Sequence, residues 1–375
     1  MAPIRIGFIG LSAGQSWAAW AHITYLKDTS KYSIVALCNT SVEAAQAAIK
    51  AHGLPETTKA YDSPQALADD PNVELVVCSV KVPHHYATIM PSLKAGKDIF
   101  CEWPLAKNVA EAEELISVAK SKGVRTVVGL QACQSPFVKK VKQLVESGKI
   151  GKVLSVTFVG NSGFSGLKEP DYAEYCNYQE NGANMLTIYS MHAMEGLLYS
   201  LGEISSFNSI IDIKRPEVQI VDGKGAVVKT ITRTAHDQFL LQGHLESGAL
   251  LSYHMRGGAA FAGNEGLIWR IYGETGEIQV TASGTYLQAG HEDMTIRLQD
   301  HTTGETTKVE PDEDDLSKLP LFTQNVGRVY EAFADKRTDG YKDWSYALLR
   351  HKLVEEIYQR DAAGKQETAA AYTKA

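Results

Sequence analysis

The stretch IRIGFIGLSAG, residues 4–14, decides the fold of this 375-residue chain. Its first half is an apolar run typical of a buried strand, and its second half is a glycine-bearing turn before a predicted helix through about Lys27. Such a turn lets the backbone approach a phosphate closely, and the helix N-terminus behind it favours an anion. In the Gly-x-Gly-x-x-Gly pattern Gly10 holds the first position, Ser12 replaces the second glycine, and Ala13 follows. We predict a pyrophosphate site at these three residues; the alternative is a turn that serves chain geometry alone.

Strands and helices continue to alternate as far as Gly129. Each predicted strand is short and apolar and is followed by a helical pattern, which is typical of a parallel, doubly wound sheet. The predicted strands are 4–9, 33–38, 75–79, 98–101 and 125–129, and the predicted helices between them are 42–52, 86–94 and 109–121. We expect residues 1–129 to form an α/β domain that binds a dinucleotide.

The pattern changes after Gly129. From about Ser206 to Arg297, strands follow one another with glycine, aspartate and serine turns, which favours a single open, mostly antiparallel sheet with one covered face. The other predicted elements are helices 137–147, 184–201, 321–335 and 343–360, a strand 153–159 and an acidic surface loop 300–317. Residues 130–375 are expected to form an α+β domain for substrate binding and dimerisation.

The end of the second strand should select the cofactor, because an acidic residue there binds the ribose 2′-hydroxyl of NAD. The sequence instead has Cys38-Asn39-Thr40-Ser41. No carboxylate repels a 2′-phosphate and no arginine binds one, so we expect either NADP or NAD, with a lean towards NADP through Asn39, Thr40 and Ser41. The alternative is a polar helix cap, since threonine and serine are favoured N-cap residues.

Composition excludes several classes of protein. The formal net charge is −7 and no long basic run is present, which argues against direct nucleic-acid binding. The five cysteines have neither the pairing of a disulfide framework nor the spacing of a metal site, so we expect no metal. Neither a signal peptide nor a membrane span is predicted. We expect a cytoplasmic protein, with a nuclear location open if its role is regulatory.

Several segments resemble the Gfo/Idh/MocA oxidoreductases. Besides residues 7–14, the matching segments are 82–86, 94–97, 102–106, 148–151 and 182–202. The resemblance implies a Rossmann domain, a C-terminal open-faced mixed sheet that often pairs subunits into a homodimer, and a nicotinamide cofactor. It also implies a small-molecule ligand.

Within that family, the chain resembles the fungal galactose-pathway repressor branch, whose members bind NAD(P) without known turnover. The segments that carry this resemblance include His85-Tyr86, Glu102-Trp103, Leu130-Gln131 and Arg256-Gly257-Gly258. The resemblance implies cofactor contacts from Val80, His85, Glu102, Trp103 and Gln131, and leaves open a regulatory protein partner.

The resemblance breaks at the family's lysine, aspartate and histidine. Trp103 stands at the lysine position and Ile188 at the aspartate position, and only His192 matches. A tryptophan has no ionisable group and cannot transfer the substrate's proton. Lys81 and Tyr189 are alternative proton carriers, although a solvated lysine and an aromatic wall are the simpler explanations for them.

Two functions therefore stay open. The first is an NAD(P)-dependent oxidoreductase that acts on a sugar-like or other hydroxyl or carbonyl compound with a changed proton path. The second is a catalytically silent NAD(P)-binding regulatory protein. The predicted catalytic candidates are His192, Tyr189 and Lys81.

Overall fold

Within residues 2–364, which the computed structural model describes, six parallel strands form the N-terminal sheet in the order β3-β2-β1-β4-β5-β6. The strands are β1 (Ile4–Ile9), β2 (Tyr32–Cys38), β3 (Lys59–Tyr61), β4 (Leu75–Cys78), β5 (Asp98–Cys101) and β6 (Thr126–Val128). The helices between them are α1 (Thr24–Asp28), α2 (Val42–Ala51), α3 (Pro64–Asp69), α4 (His85–Lys94) and α5 (Val109–Lys122). This confirms the predicted doubly wound domain.

The local sequence explains the helix ends. The Asn108 side chain accepts a hydrogen bond from the Glu111 N–H at 2.9 Å and so caps the start of α5. Gly123 ends the same helix in the left-handed conformation, with φ +65°. Two elements were not predicted, β3 and α3, because both are short and carry no clear apolar periodicity.

The C-terminal half contains two sheets rather than the single sheet predicted. Among the described residues, eight strands form a mixed, mostly antiparallel sheet in the order β17-β16-β15-β14-β7-β13-β12-β9, and three form a smaller sheet in the order β11-β10-β8. The strands are β7 (Val153–Asn161), β8 (Lys168–Pro170), β9 (Ile204–Asp212), β10 (Glu217–Val221), β11 (Val227–Thr232), β12 (Gln238–Leu245), β13 (Leu250–Arg256), β14 (Leu267–Gly273), β15 (Gly276–Ala282), β16 (Thr295–Asp300) and β17 (Thr306–Val309). The stretch 300–317 was wrongly predicted to be all loop, because β17 lies inside it and pairs with β16.

The remaining helices connect the two halves. They are α6 (Pro136–Glu146), α7 (Met191–Leu201), α8 (Leu321–Ala334) and α9 (Trp344–Gly364). Tyr330 of α8 stacks on Tyr25 at 5.6 Å, and the indole N–H of Trp344 donates to the Val127 carbonyl at 3.0 Å. Helices after residue 320 thus pack on the N-terminal sheet, while the predicted boundary between residues 129 and 130 stays a prediction.

Candidate functional site

Four segments meet at the carboxyl edge of the N-terminal sheet. Because β1, β4, β5 and β6 are parallel neighbours, the residues that follow them, 10–16, 79–85, 102–106 and 129–135, lie at the same edge. In open α/β sheets this edge is where ligands bind.

The turn after β1 requires glycine at its first position. Gly10 has φ +94°, and a Cβ built on it would lie 2.4 Å from the Ser79 carbonyl oxygen. Ser12 and Ala13 are exposed, and no hydrogen bond within the described residues uses the backbone N–H groups of residues 12–15. The following helix starts later than predicted, as a π-helical segment Ala18–Ile23. The loop, more than the helix N-terminus, therefore offers its N–H groups to an anion.

The end of β2 is held by its own side chains. Asn39 Nδ2 donates to the Leu11 carbonyl at 2.8 Å, and Ser41 caps α2 by accepting from the Ala44 N–H at 3.1 Å. Thr40 is exposed and makes neither contact. Two of the three predicted cofactor-selecting residues are thus engaged in shaping the turn.

A carboxylate lies close to this loop, on the neighbouring strand. Asn39 N–H donates to the Tyr61 carbonyl at 3.0 Å, and the exposed Asp62 follows directly. Burial raises the pKa of the Cys38 thiol to about 11, and the negative charge of Asp62 acts in the same direction. Sequence reasoning missed Asp62 because it considered only the second strand.

In the segment after β5, residues 102–106, Glu102 is the ionisable side chain. Its side chain is buried against the β6 end, since a Cβ on Gly129 would lie 2.4 Å from Glu102 Oε2. His22 Nε2 lies 2.9 Å from Glu102 Oε1, and His22 Nδ1 lies 2.8 Å from the Tyr330 hydroxyl. This buried Glu–His–Tyr series holds the carboxylate in one place. His22 and Tyr330 have no sequence signal, because they lie far from Glu102 along the chain.

His192 lies near Glu102, on the first turn of α7. Burial lowers the pKa of His192 to about 4, against the opposing effect of the Glu102 charge. The imidazole is therefore neutral at pH 7, and its Nδ1 has no hydrogen-bond partner within the described residues. A neutral, unpartnered imidazole nitrogen can exchange a proton with a bound hydroxyl or carbonyl compound.

Gln131, at the end of β6, is only 1% exposed, and both polar atoms of its amide lack partners within the described residues. Buried amides are normally satisfied, so this side chain fits a ligand with complementary donors and acceptors. The carboxamide of a nicotinamide is such a group. The residues present thus fit the cofactor that the Rossmann turn implies.

Trp103 belongs, like Glu102, to the segment after β5, but its side chain has different neighbours. Its ring is 5% exposed, its N–H donates to the Thr187 carbonyl at 2.6 Å, and its centroid is 4.8 Å from that of His351. The Trp103–Pro104 peptide bond is cis. The indole therefore packs between helix α9 and a second π-helical segment, Met185–Ser190, which precedes α7. It borders a cavity that contains no residue of the first turn.

His85 and Val80 have structural partners. The buried His85 ring places Nδ1 2.8 Å from the Pro104 carbonyl and Nε2 3.0 Å from the Val80 carbonyl. Burial lowers the pKa of this histidine. His85 thereby joins the segments after β4 and β5, which positions the site.

Lys81 and Tyr189 border one aromatic wall. Lys81 Nζ lies 4.9 Å from the centroid of the Tyr175 ring. Tyr189 stacks on Phe164 at 5.1 Å and meets Tyr286 edge-on at 6.4 Å. Burial raises the pKa of Tyr189 well above its usual value, so the phenol stays protonated. Phe164 and Tyr286 were missed, because only folding of the C-terminal sheet brings them to Tyr189.

A buried arginine fixes the loop that carries this wall. Arg233 donates to Asn177 Oδ1 at 2.9 Å and to the carbonyls of Ser165 and Gly166 at 3.0 and 3.1 Å. Its charge is balanced by Asp237 at 3.3 Å. Because two carbonyls of the loop accept hydrogen bonds from the same guanidinium, Arg233 holds this part of the loop in place.

Three potential metal ligands lie close together beside the site, although no metal site was predicted from the sequence. Cys78, His85 and Cys101 place their ligand atoms within 4.8 Å of one another, because Cys78 and Cys101 are register partners on β4 and β5. Both His85 nitrogens face carbonyl oxygens, and burial raises the pKa of Cys101 well above its usual value. All five cysteines are free thiols. The three side chains pack together at the sheet edge, all of them buried.

No helix among the described residues is both long and apolar enough to cross a membrane.

Two family descriptions match the chain. Residues 4–130 match an oxidoreductase family with an NAD-binding Rossmann fold, and residues 136–282 match the C-terminal domain of Gal80p. The first agrees with the turn after β1, and the second covers Phe164, Tyr189 and much of the large sheet.

Relatives of both kinds align over nearly the whole chain. The dehydrogenase aclE of Aspergillus oryzae is 30% identical over 368 residues, which cover 96% of this chain and 97% of that one. The galactose/lactose metabolism regulatory protein GAL80 of Saccharomyces cerevisiae is 26% identical over 410 residues, with 97% and 94% covered.

A solved structure shares the fold. The super-repressor mutant of Gal80p from Saccharomyces cerevisiae superimposes with a TM-score of 0.88 at 24% identity, over 97% of each chain. This likeness concerns the arrangement of the elements.

Proposed function

This chain belongs to the Gfo/Idh/MocA oxidoreductase family, and from that premise we propose that it is a nicotinamide-dependent oxidoreductase of a small hydroxyl or carbonyl compound. The observation that carries the proposal is that two buried side chains, His192 and Gln131, have polar atoms without partners within the described residues. Gln131 and Glu102 lie at the sheet edge where such cofactors bind, and His192, on α7, is close enough to Glu102 for its charge to act on the pKa of the imidazole.

Each residue has a proposed role. The loop at Gly10, Ser12 and Ala13 binds the pyrophosphate, and Gln131 orients the carboxamide. The nicotinamide, when bound, supplies or accepts the hydride. His192 exchanges the proton at the substrate oxygen, and Glu102 stabilises the imidazolium that forms when His192 takes that proton.

The aromatic wall favours a ring-bearing or sugar-like substrate. Phe164, Tyr189 and Tyr286 present flat apolar surfaces, and such rings pack against the carbon face of a sugar or a planar ring. Lys81 at the edge of this wall is a second donor for a substrate oxygen.

We propose NAD rather than NADP as the preferred cofactor, a change from the lean of the sequence alone. Asn39 and Ser41 are engaged within the turn, and the exposed Asp62 brings a negative charge beside it. A 2′-phosphate near that charge is disfavoured.

We further propose a homodimer through the open face of the large sheet. A row of mostly apolar side chains crosses this face through register pairs: Ile210, Leu240, His254, Val159 and Ile268. Val159 and Ile210 are 41% and 62% exposed. A second copy would cover this face.

A catalytically silent, NAD(P)-binding regulator is the second candidate. Trp103 occupies the family's lysine position and is held by Thr187, and Ile188 occupies the aspartate position. These changes remove two groups used in the family's chemistry, and a protein of the GAL80 type is among the relatives. In this case the ligand-bound state would control a protein partner.

Turnover separates the two candidates. We expect the wild type to oxidise NADH with at least one member of a panel of aldehydes, ketones and keto-sugars, followed by absorbance at 340 nm. His192→Ala should lower kcat by roughly 100-fold, the usual size of a lost acid–base group, with little change in NADH affinity.

The matched control is His301→Ala, which removes an exposed histidine from a turn of the C-terminal sheet. Its activity should equal that of the wild type. If NADH binds but no compound is turned over, the regulator is favoured; turnover that survives His192→Ala would exclude the proposed site.

A further inference from the structure

A cavity of about 590 Å³ lies beside Trp103, and none of its lining residues belongs to the first turn. Its walls come from both halves of the chain. They are the start of α5, residues 179–182 before the π-helical segment Met185–Ser190, and helix α9. Cavities of this size hold small organic molecules in many proteins. The volume belongs to neither the pyrophosphate turn nor the aromatic wall.

The inner wall is aromatic. Trp103 and Tyr358 line it, together with His351, whose ring lies against Trp103 at 4.8 Å. Tyr358 is fixed by Asn184, whose Nδ2 donates to its hydroxyl at 3.1 Å. These rings offer apolar surface, and their faces attract cations.

The charged side chains of the wall are two glutamates and one lysine. Glu355 and Glu180 border the cavity and make no ion pair within the described residues, although Glu180 accepts from the Thr234 hydroxyl at 3.2 Å. Lys107, which also lines the cavity, is paired with Glu111 at 3.0 Å. The net charge around the opening is therefore negative.

His351 adds a buried, neutral ring to the cavity wall. Its side chain is 6% exposed, and its Nε2 has no hydrogen-bond partner within the described residues. Burial lowers the pKa of His351 to about 4, so the ring is neutral at pH 7. A neutral imidazole beside two carboxylates and two aromatic rings is complementary to an ammonium group.

We propose that this cavity is a second small-molecule site, and that it binds a ring compound that carries an ammonium group. The ring packs on Trp103 and Tyr358, and the ammonium faces Glu180, Glu355 and His351. The site is independent of the proposed oxidoreductase activity, because none of these side chains belongs to the cofactor edge apart from Trp103.

Three probes of one shape test the proposal: phenethylamine (cation), 2-phenylethanol (neutral) and phenylacetate (anion). Dissociation constants are measured by ligand-observed NMR titration of the full chain at pH 7. We expect saturable binding of phenethylamine, weaker binding of the alcohol and the weakest binding of the anion.

Matched variants locate the site. Glu355→Gln should weaken phenethylamine by roughly two- to five-fold, the range for an exposed charge pair. Glu356→Gln, one residue along α9 and paired instead with Arg360, should leave the affinity unchanged. His351→Phe keeps a ring against Trp103 and removes the polar ring atoms, and it should also weaken binding of the amine.

Val109→Trp fills the cavity and should abolish binding of all three probes, with folding checked by the melting temperature. If that variant fails to fold, Glu355→Gln and His351→Phe decide the question. Gly10→Val should bind phenethylamine like the wild type, which separates this site from the dinucleotide turn. Equal affinities for the three probes, no saturable binding, or equal effects of the two glutamine substitutions would overturn the proposal.

Discussion

Gly10 follows β1 and Trp103 follows β5, two strands of one sheet edge that are separated by β4, and the two residues are constrained in opposite ways. At Gly10 the backbone conformation and the Ser79 carbonyl exclude any side chain, so the position is fixed by geometry. At Trp103 a large side chain fills space between Thr187 and His351, at the position where the resemblance places the family's lysine. The first turn is thus constrained by its backbone, whereas position 103 is constrained by the packing of its side chain.

This difference shows how binding and chemistry can separate within one fold. Cofactor binding at the first turn depends on backbone geometry, which few residues can satisfy. Proton transfer depends on one ionisable side chain, which a single substitution removes, and here Glu102 and His192 remain as the ionisable neighbours.

The largest effect is expected from Gly10→Val. The new side chain would collide with Ser79 and force an unfavourable φ, so NADH affinity should fall by roughly 100-fold or more, about 3 kcal/mol. Calorimetric titration measures it. Gly14→Ala is the matched control, since nothing lies within 4 Å of a Cβ at Gly14. Equal loss in both variants would show that the turn as a whole, and not close approach at Gly10, limits binding.

Trp103→Lys tests whether side-chain packing constrains position 103. It removes a buried ring and places a charge against His351, so the free energy of unfolding should fall by roughly 3 kcal/mol. Trp103→Phe, which loses mainly the hydrogen bond to Thr187, should cost about 1 kcal/mol. Urea unfolding provides both values. A lysine variant as stable as the wild type would mean that the position still accommodates the family's residue.

Glu195 gives a pH-dependent test one turn beyond His192. Burial raises the pKa of Glu195 to about 7, above its unfolded value near 4.5. The folded state therefore binds the extra proton, and the stabilisation from the protonated form is complete below pH 4.5 and lost as the pH rises through 7. Glu195→Gln, which stays neutral, should become more stable than the wild type by roughly 3 kcal/mol above pH 7, and equal to it near pH 4.5.

The measurement is urea unfolding of both proteins between pH 4.5 and 8.5. Glu246→Gln, in an exposed turn, serves as the control and should follow the wild type throughout. Parallel curves for wild type and Glu195→Gln would contradict the buried, protonated carboxyl.

The smallest effect is expected on the relative affinity for NADPH and NADH. Asp62→Asn should improve NADPH binding relative to NADH by about five-fold, or about 1 kcal/mol, because it removes a negative charge beside the β2 end. Asn39→Asp should shift the ratio in the opposite direction. Asp69→Asn, on the exposed side of α3, is the control. Unchanged ratios in the first two variants would place the ribose elsewhere.

The sequence determined the parallel sheet and most element bounds, because apolar strands and capped helices are encoded locally. β5 was predicted at its observed bounds, and α5 to within one residue. The short β3 and β17 were missed, since three or four residues with exposed side chains carry no periodic signal and are fixed by pairing with β2 and β16.

The sequence also predicted the turn at Gly10, because its glycine matches a motif, and it placed Trp103 at the family's lysine position by resemblance alone. Tertiary structure alone decided what surrounds them. His22 reaches Glu102 from 80 residues away, Asp62 comes beside Asn39 through the pairing of β2 and β3, and His351 closes on Trp103 from the last helix. Such contacts join distant segments, and no local pattern records them, because only burial of a common core brings those segments together.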